Sequence, residues 1–268
     1  MRFDVITLFP ELFAPFLSSG INRRAFESGA VELKLWQLRD FSEGTYRRVD
    51  DRPFGGGPGM VMMAEPLEKC LLAIRQDRTT QNPNAAKVPV VLFSPIGQTL
   101  THAGVESWSQ SDGAILICGR YEGLDQRFID AHVDVQISLG DFVLSGGEIA
   151  AIALLDAVAR LQPGVLNDEG SHQMDSFNPA LDGLLDCGHY TRPETWHGET
   201  VPPILMSGHH ADIAKWRRQQ SLILTQKHRP DLIETARKMG KLSTQDEHFL
   251  THSRLTDLDR SEERRVGK

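Results

Sequence analysis

The sequence predicts an α/β fold followed by a small helical domain, and three observations carry that expectation. Up to about residue 160, short β-rich runs alternate with helical stretches. Two of those runs, residues 88–93 and 114–118, are nearly unbroken apolar segments, which suits strands buried on both faces of a parallel sheet covered by helices. After Pro163-Gly164 the alternation stops and helical patterns stand alone.

Taken in order, residues 3–9 read as a strand, 10–27 as helical, and 31–38 as a strand with Val31, Leu33 and Leu35 alternating. Pro66 opens a helix over 65–75, since proline suits a first helical turn. The run 88–93 ends at Ser94-Pro95, the run 114–118 at Gly119, and 147–161 is a long helix rich in Ala, Ile and Leu. Residues 165–186 carry Asn167, Gly170, Ser171, Ser176, Asn178, Pro179 and Gly183 with little periodicity, so they read as a mobile linker. Helices follow at 209–226, 230–239 and 244–251, with Asp231 near one start and Ser243 placed to cap the last. The expected organisation is a domain over 1–163, a linker over 164–186, a helical domain over 187–255 and a disordered tail over 256–268, whose last eight residues are charged and lack an apolar face.

Composition sets the outer limits. With 268 residues, 40% hydrophobic and 24% charged, the chain holds one large or two modest globular domains, and collagen-like, disordered and disulfide-scaffold classes are excluded. Cys70, Cys118 and Cys187 are few, odd in number and far apart, which points to a reducing, cytoplasmic compartment. An acid, Asp4, interrupts the first apolar run, no cleavage pattern follows it, and no apolar run approaches the roughly 18 residues of a spanning helix. A net charge of −7 argues mildly against a nucleic-acid partner. One region is nonetheless locally basic: between His209 and Arg229, Lys215, Arg217, Arg218, Lys227 and Arg229 face Asp212 alone.

Chemistry concentrates in four glycine-bearing loops: RPFGGGPGM at 52–60, SPIG at 94–97, GRYEG at 119–123 and GDFVLSGGE at 140–148. In open α/β sheets, ligands bind beyond the carboxyl ends of strands, where glycine lets backbone approach them. Together the loops predict a composite small-molecule pocket, although any one of them serves equally well as a plain turn. No phosphate-binding GxxxxGK[ST], dinucleotide GxGxxG, GxSxG, HExxH or paired CxxC is present. His209, His210 and Asp212, or Cys187 and His189, lack the spacing of a metal site, so none is predicted. Charged residues flank the loops, among them Arg120, Glu122, Asp125, Arg127, Asp141 and Glu148. Asp125 reads as a helix cap. Arg160 stands apart: it closes an apolar helix just before the linker, and a loop bringing Asp175 toward it would assemble an acid/base pair when substrate binds.

The strings DDRPFGGGPGMVMM at 50–63, GRYEG at 119–123, GDFVLSGGE at 140–148, DSF at 175–177 and LLDCGHYTRP at 184–193 closely resemble the bacterial tRNA (guanine-N1)-methyltransferases that modify guanosine 37. The resemblance runs from about residue 1 to about residue 229. It implies a SPOUT-type knotted parallel sheet with helices on both faces, plus a small helical C-terminal domain that engages tRNA, in a homodimer with sites between subunits. General topology rules would have counted against a knot. On this chain the resemblance assigns Pro95, Tyr121, Glu122, Gly123, Leu144, Gly146 and Gly147 to an S-adenosylmethionine pocket, and a magnesium requirement to the reaction. Arg160 and Asp175 occupy the positions of the catalytic arginine and general base. Phe142 stands where the family commonly has tyrosine, and Ala150 where it has proline.

The chemistry of guanine gives those two residues distinct tasks. N1 carries a proton and is a poor nucleophile, so a carboxylate, Asp175, is expected to take that proton as the methyl group transfers. Negative charge then develops on O6, which the Arg160 guanidinium would stabilise. Lys215, Arg217 and Arg218, with Trp216 among them, are expected to contact the tRNA backbone, or to form a solvated face around a core tryptophan. Two other readings stay open from the residues: a knotted RNA methyltransferase acting on a ribose hydroxyl or another base, and a non-catalytic RNA-binding module.

Overall fold

The computed structural model describes residues 1–82, 88–166 and 171–252. They divide into two compact units, Met1–Asn167 and Asp168–Lys268. The tail expected over 256–268 lies outside the described residues, as do Asp168 and Glu169.

The first unit is built on a five-stranded sheet. Strand β1 (Arg2–Thr7) is followed by a short 3-10 turn and two helices, α1 (Ala14–Ser18) and α2 (Gly20–Glu27), then β2 (Glu32–Gln37). A small antiparallel hairpin, β3 (Asp50–Asp51) with β4 (Val61–Met62), leads into α3 (Ala64–Gln81). The chain continues as β5 (Val90–Thr99), α4 (His102–Ser109), β6 (Gly113–Ile117), α5 (Gln126–His132), β7 (Val135–Ser138) and α6 (Glu148–Ala159). Every pairing in the main sheet is parallel, in the spatial order β2-β1-β6-β5-β7.

The apolar runs are continuous because both faces are covered. Phe3, Val5, Val91 and Leu116 meet Ala151, Leu154 and Leu155 of α6 on one face. Ile6, Val90, Leu92, Ile115 and Ile117 meet Leu67, Leu71 and Ile74 of α3 and Phe128 of α5 on the other. Successive strand residues point to opposite faces, so one run feeds two cores. Asp4, the acid within the first run, is fully buried on the α3 side. It accepts hydrogen bonds from Arg78 (3.0 Å), Arg2 (2.6 Å) and Trp36 Nε1 (2.8 Å), the partners a buried charge requires.

Three local departures have physical causes. The helical stretch expected over 10–27 breaks at Ser19, whose backbone is extended (φ −121°, ψ 149°), and restarts at Gly20, where a φ of +59° lets the chain turn. The strand expected to end at Phe93 resumes to Thr99, because its register against β7 shifts between Phe93 and Gln98 and lets 94–97 bulge. Strand β7, VQIS, carries too few apolar residues to stand out from sequence, but its pairing with β5 secures it.

The second unit is mainly helical. It contains short 3-10 turns at Ser171–Met174, Pro179–Leu181 and Pro203–Met206, a two-stranded hairpin of β8 (Thr195–Trp196) with β9 (Glu199–Thr200), then α7 (His210–His228), α8 (Pro230–Lys238) and helical residues 244–252. Its core gathers Leu184, Leu222, Ile233, Ala236 and Leu250. Leu184 is therefore core, and Thr225 Oγ1 accepts the Leu185 N–H at 3.0 Å. The stretch that sequence assigned to a linker up to 186 thus belongs, in its second half, to the packed helical unit. Ser243 caps the last helix as expected, its Oγ accepting the Asp246 N–H while Asp246 accepts the Ser243 N–H.

Candidate cofactor cavity and basic helix

In the first unit, the bulge of β5 and the loops that follow β6 and β7 enclose a cavity of about 410 Å³. Pro95 enters it from the bulge of β5, Tyr121, Glu122 and Gly123 from the loop after β6, and Leu144, Gly146 and Gly147 from the loop after β7. All seven residues that the resemblance assigned to one pocket line this one. Phe142 and Ala150, the two family departures, line it too.

Close backbone contacts set its shape. Gly147 donates its N–H to the Gly119 carbonyl at 2.9 Å, and a Cβ there would stand 2.7 Å from Cys118 Cα. Only glycine lets these two loops meet. The β3–β4 hairpin braces the other side, where Glu122 N–H donates to Met60 O and Met62 N–H to Gly123 O. Tyr121 is held at a φ of +59°, an uncommon conformation for a bulky residue. Burial and then the Asp50 carboxylate raise its phenol above the ordinary tyrosine range.

A charged network ties the loops to the sheet. Glu148 opens α6, is 1% exposed, accepts from Thr7 Oγ1 at 2.8 Å and pairs with Arg120 Nη2 at 2.9 Å. The positive end of the helix dipole also favours its charge. Arg120 donates in turn to the Ser145 carbonyl at 3.1 Å and lies 4.4 Å over the Phe9 ring. Both residues were visible in sequence as charges beside the loops, but nothing there paired them. Burial, and then Glu148, push the neighbouring Cys118 thiol well above its ordinary value, which leaves it unreactive.

Arg160 terminates α6, half-buried, with its N–H on Asp156 O. Asp175 belongs to the second unit, just after a 3-10 turn, where its N–H donates to His172 O. Its loop is built around buried Asn178, whose side chain donates to His172 O at 3.1 Å and accepts the Ala180 N–H at 2.9 Å. Sequence reasoning read Asn178 only as a loop former.

The basic helix α7 carries the three expected tRNA contacts unequally. Lys215 and Arg217 are exposed. Arg218 instead forks onto Asp246 (3.1 and 3.0 Å) and reaches Asp182 at 2.8 Å. Its guanidinium braces the unit internally, a role that charge counting could not separate from backbone contact. Cys187 with His189, and His209 with His210 and Asp212, form no metal cluster; among the described residues none of three or more His, Cys, Asp or Glu exists. Nor is any helix there long and apolar enough to cross a membrane.

A parallel sheet with a glycine-framed cavity at the carboxyl ends of its strands, in a chain that also carries a helical unit with one locally basic helix, defines a ligand-binding α/β enzyme class. Comparison with known proteins narrows this. The family model of tRNA (guanine-1)-methyltransferase TrmD matches residues 1–235. The chain is 73% identical over 250 residues to a tRNA (guanine-N(1)-)-methyltransferase of Polaromonas sp. strain JS666, covering 93% of this chain and 96% of that protein. It is 69% identical to the protein of that name from Paracidovorax citrulli, covering 93% and 97%, and 56% identical to that of Bordetella pertussis, covering 93% and 96%. The chain belongs to the tRNA (guanine-1)-methyltransferase family.

Proposed function

We propose that this protein, a tRNA (guanine-N1)-methyltransferase using S-adenosylmethionine, acts on guanosine 37 of tRNA as a cytoplasmic homodimer. The observation that carries the reading is the convergence of the three glycine loops on one cavity whose volume falls within the ordinary range for ligand sites. The cofactor fits what is there. Backbone-rich walls from Tyr121 to Gly123 and from Leu144 to Gly147 surround the space, and the close approach of Gly147 to Cys118 and of Gly146 to Arg120 leaves no room for a Cβ on those walls. When bound, S-adenosylmethionine supplies an electrophilic methyl group on a sulfonium.

The protein's own residues do the rest. Asp175 takes the N1 proton, making N1 nucleophilic, and Arg160 stabilises the charge that moves to O6. The Glu148–Arg120 pair holds the loops in place before substrate arrives, so little reorganisation remains for the reacting state. Magnesium commonly binds through one or two carboxylates and water. Among the described residues no group of three or more His, Cys, Asp or Glu stands ready for such an ion, and the roles given to Asp175 and Arg160 do not depend on one.

Methylation of two tRNA transcripts, with guanosine or adenosine at position 37, tests the proposal. Transfer of label from the cofactor is expected to the first alone. Equal labelling of both would overturn the assigned position.

A further inference from the structure

A second cavity, of about 220 Å³, opens in the helical unit. Its floor is aliphatic, from Val201, Leu205 and Ile213; Tyr190 and Trp216 form one side, with ring centroids 6.2 Å apart, and Arg217 contributes to the wall. Tyr190 is 54% exposed, so an aromatic face reaches the opening. His189 on the rim is tied to Asp186 at 2.9 Å.

The charges decide what class of group suits this space. Arg217 is the one arginine or lysine on its lining, and the carboxylate beside His189 opposes an anion. The walls are otherwise aromatic, aliphatic or glycine, which favours a flat, largely apolar ring rather than a phosphate. Unpaired bases of RNA are recognised in this way, stacked on aromatic rings and guanidinium planes. Exposed Lys215 and Arg217 lie on the same helix, where they can meet the adjoining backbone phosphates.

We infer that this cavity takes a single unpaired nucleobase of the tRNA, stacked against Tyr190 and Trp216, as a recognition site separate from the cofactor cavity. The inference rests on the proposed tRNA reading. Gly188, also on the lining, offers a way to fill the space without removing any packing: a Cβ there meets nothing within 4 Å, and its backbone is not in the left-handed region.

The test uses the full chain, with Trp216→Leu and Gly188→Met, and measures tRNA binding across salt concentrations together with S-adenosylmethionine binding. Stacking of one base predicts a loss of about tenfold to a hundredfold in tRNA affinity for both variants. The salt slope should be unchanged, because no phosphate contact is lost, and cofactor affinity should equal wild type. Transcripts made abasic at one loop position at a time should include one that wild type binds weakly and the variants bind no more weakly still. Unchanged tRNA affinity in a folded Gly188→Met chain would overturn the pocket, as would sensitivity spread equally over every abasic position. A wild-type protein that binds no tRNA would overturn the tRNA reading itself, a result distinct from either.

Discussion

The cavity of the first unit and the aromatic, basic face of the second are held by different interactions. Around the cavity, backbone meets backbone: Gly147 on Gly119, Glu122 on Met60 and Met62 on Gly123, with one buried ion pair behind them. On the helical unit the surface proposed to meet tRNA is side chain, Tyr190, Trp216, Lys215 and Arg217, on a small core of five buried residues. The contrast teaches where each region is vulnerable. A backbone-built site fails when a side chain is added, whereas a side-chain site fails when one is removed.

The largest expected effect falls on the proposed proton acceptor, Asp175. Asp175→Asn retains size and hydrogen bonding but abolishes the base, so single-turnover methyl transfer should fall by about 10² to 10⁴ with cofactor affinity nearly intact. The residual rate should rise with pH as solvent takes the proton. Arg160→Lys keeps charge but loses the planar fork; its rate should drop while its pH profile follows wild type. A near wild-type rate for Asp175→Asn would turn attention to Asp168 or Glu169.

Adding bulk tests the opposite region and the proposed dimer together. In Gly146→Trp the new Cβ alone would sit 2.2 Å from Arg120 Nε, and cofactor binding should be lost. If sites are shared between subunits, mixing this chain with Asp175→Ala should restore one working site per heterodimer. Stable heterodimers without recovered activity would exclude the shared arrangement.

Glu148→Ala should cost about 3 kcal/mol of stability by stranding Arg120 and Thr7. Thermal melting reads this directly, and weakened cofactor binding should accompany it. A variant as stable as wild type would mean that the backbone contacts alone hold the loops.

The smallest effect separates the arginines of α7. Arg218→Ala should lower the stability of the helical unit by about 1–3 kcal/mol through its lost fork on Asp246, while the salt dependence of tRNA binding stays that of wild type. Charge reversal at Lys215 and Arg217 should flatten that dependence instead. The ion pair also carries a pH signature. Burial raises the Asp246 carboxyl, but the Arg218 fork and Ser243 hold it below the usual range on balance. A carboxyl depressed on folding stabilises the protein above its unfolded pKa of about 3.9, and that contribution is lost as pH falls through the folded value. The difference in melting temperature between wild type and Asp246→Asn should therefore shrink below about pH 4.

Much of this arrangement was legible before any coordinates. Runs such as 114–118 announced strands buried on both faces, and the glycine strings marked the strand ends that frame the cavity, because backbone approach restricts residue type wherever it occurs. Side-chain pairings left no comparable mark. Arg218 looked like its neighbours Lys215 and Arg217, since a charge in sequence does not say which carboxylate it will meet.

What the sequence by itself determined is therefore the layered α/β pattern, the glycine loops and the family. Tertiary structure alone decided that Asp4 is neutralised by Arg78, that Glu148 holds Arg120 beneath the loops, and that Tyr190 meets Trp216 on one side of a cavity. The physical reason is range. Periodicity and glycine conformation are local properties written in adjacent residues, whereas these contacts join positions 26 to 74 residues apart and exist only once the chain has closed around them.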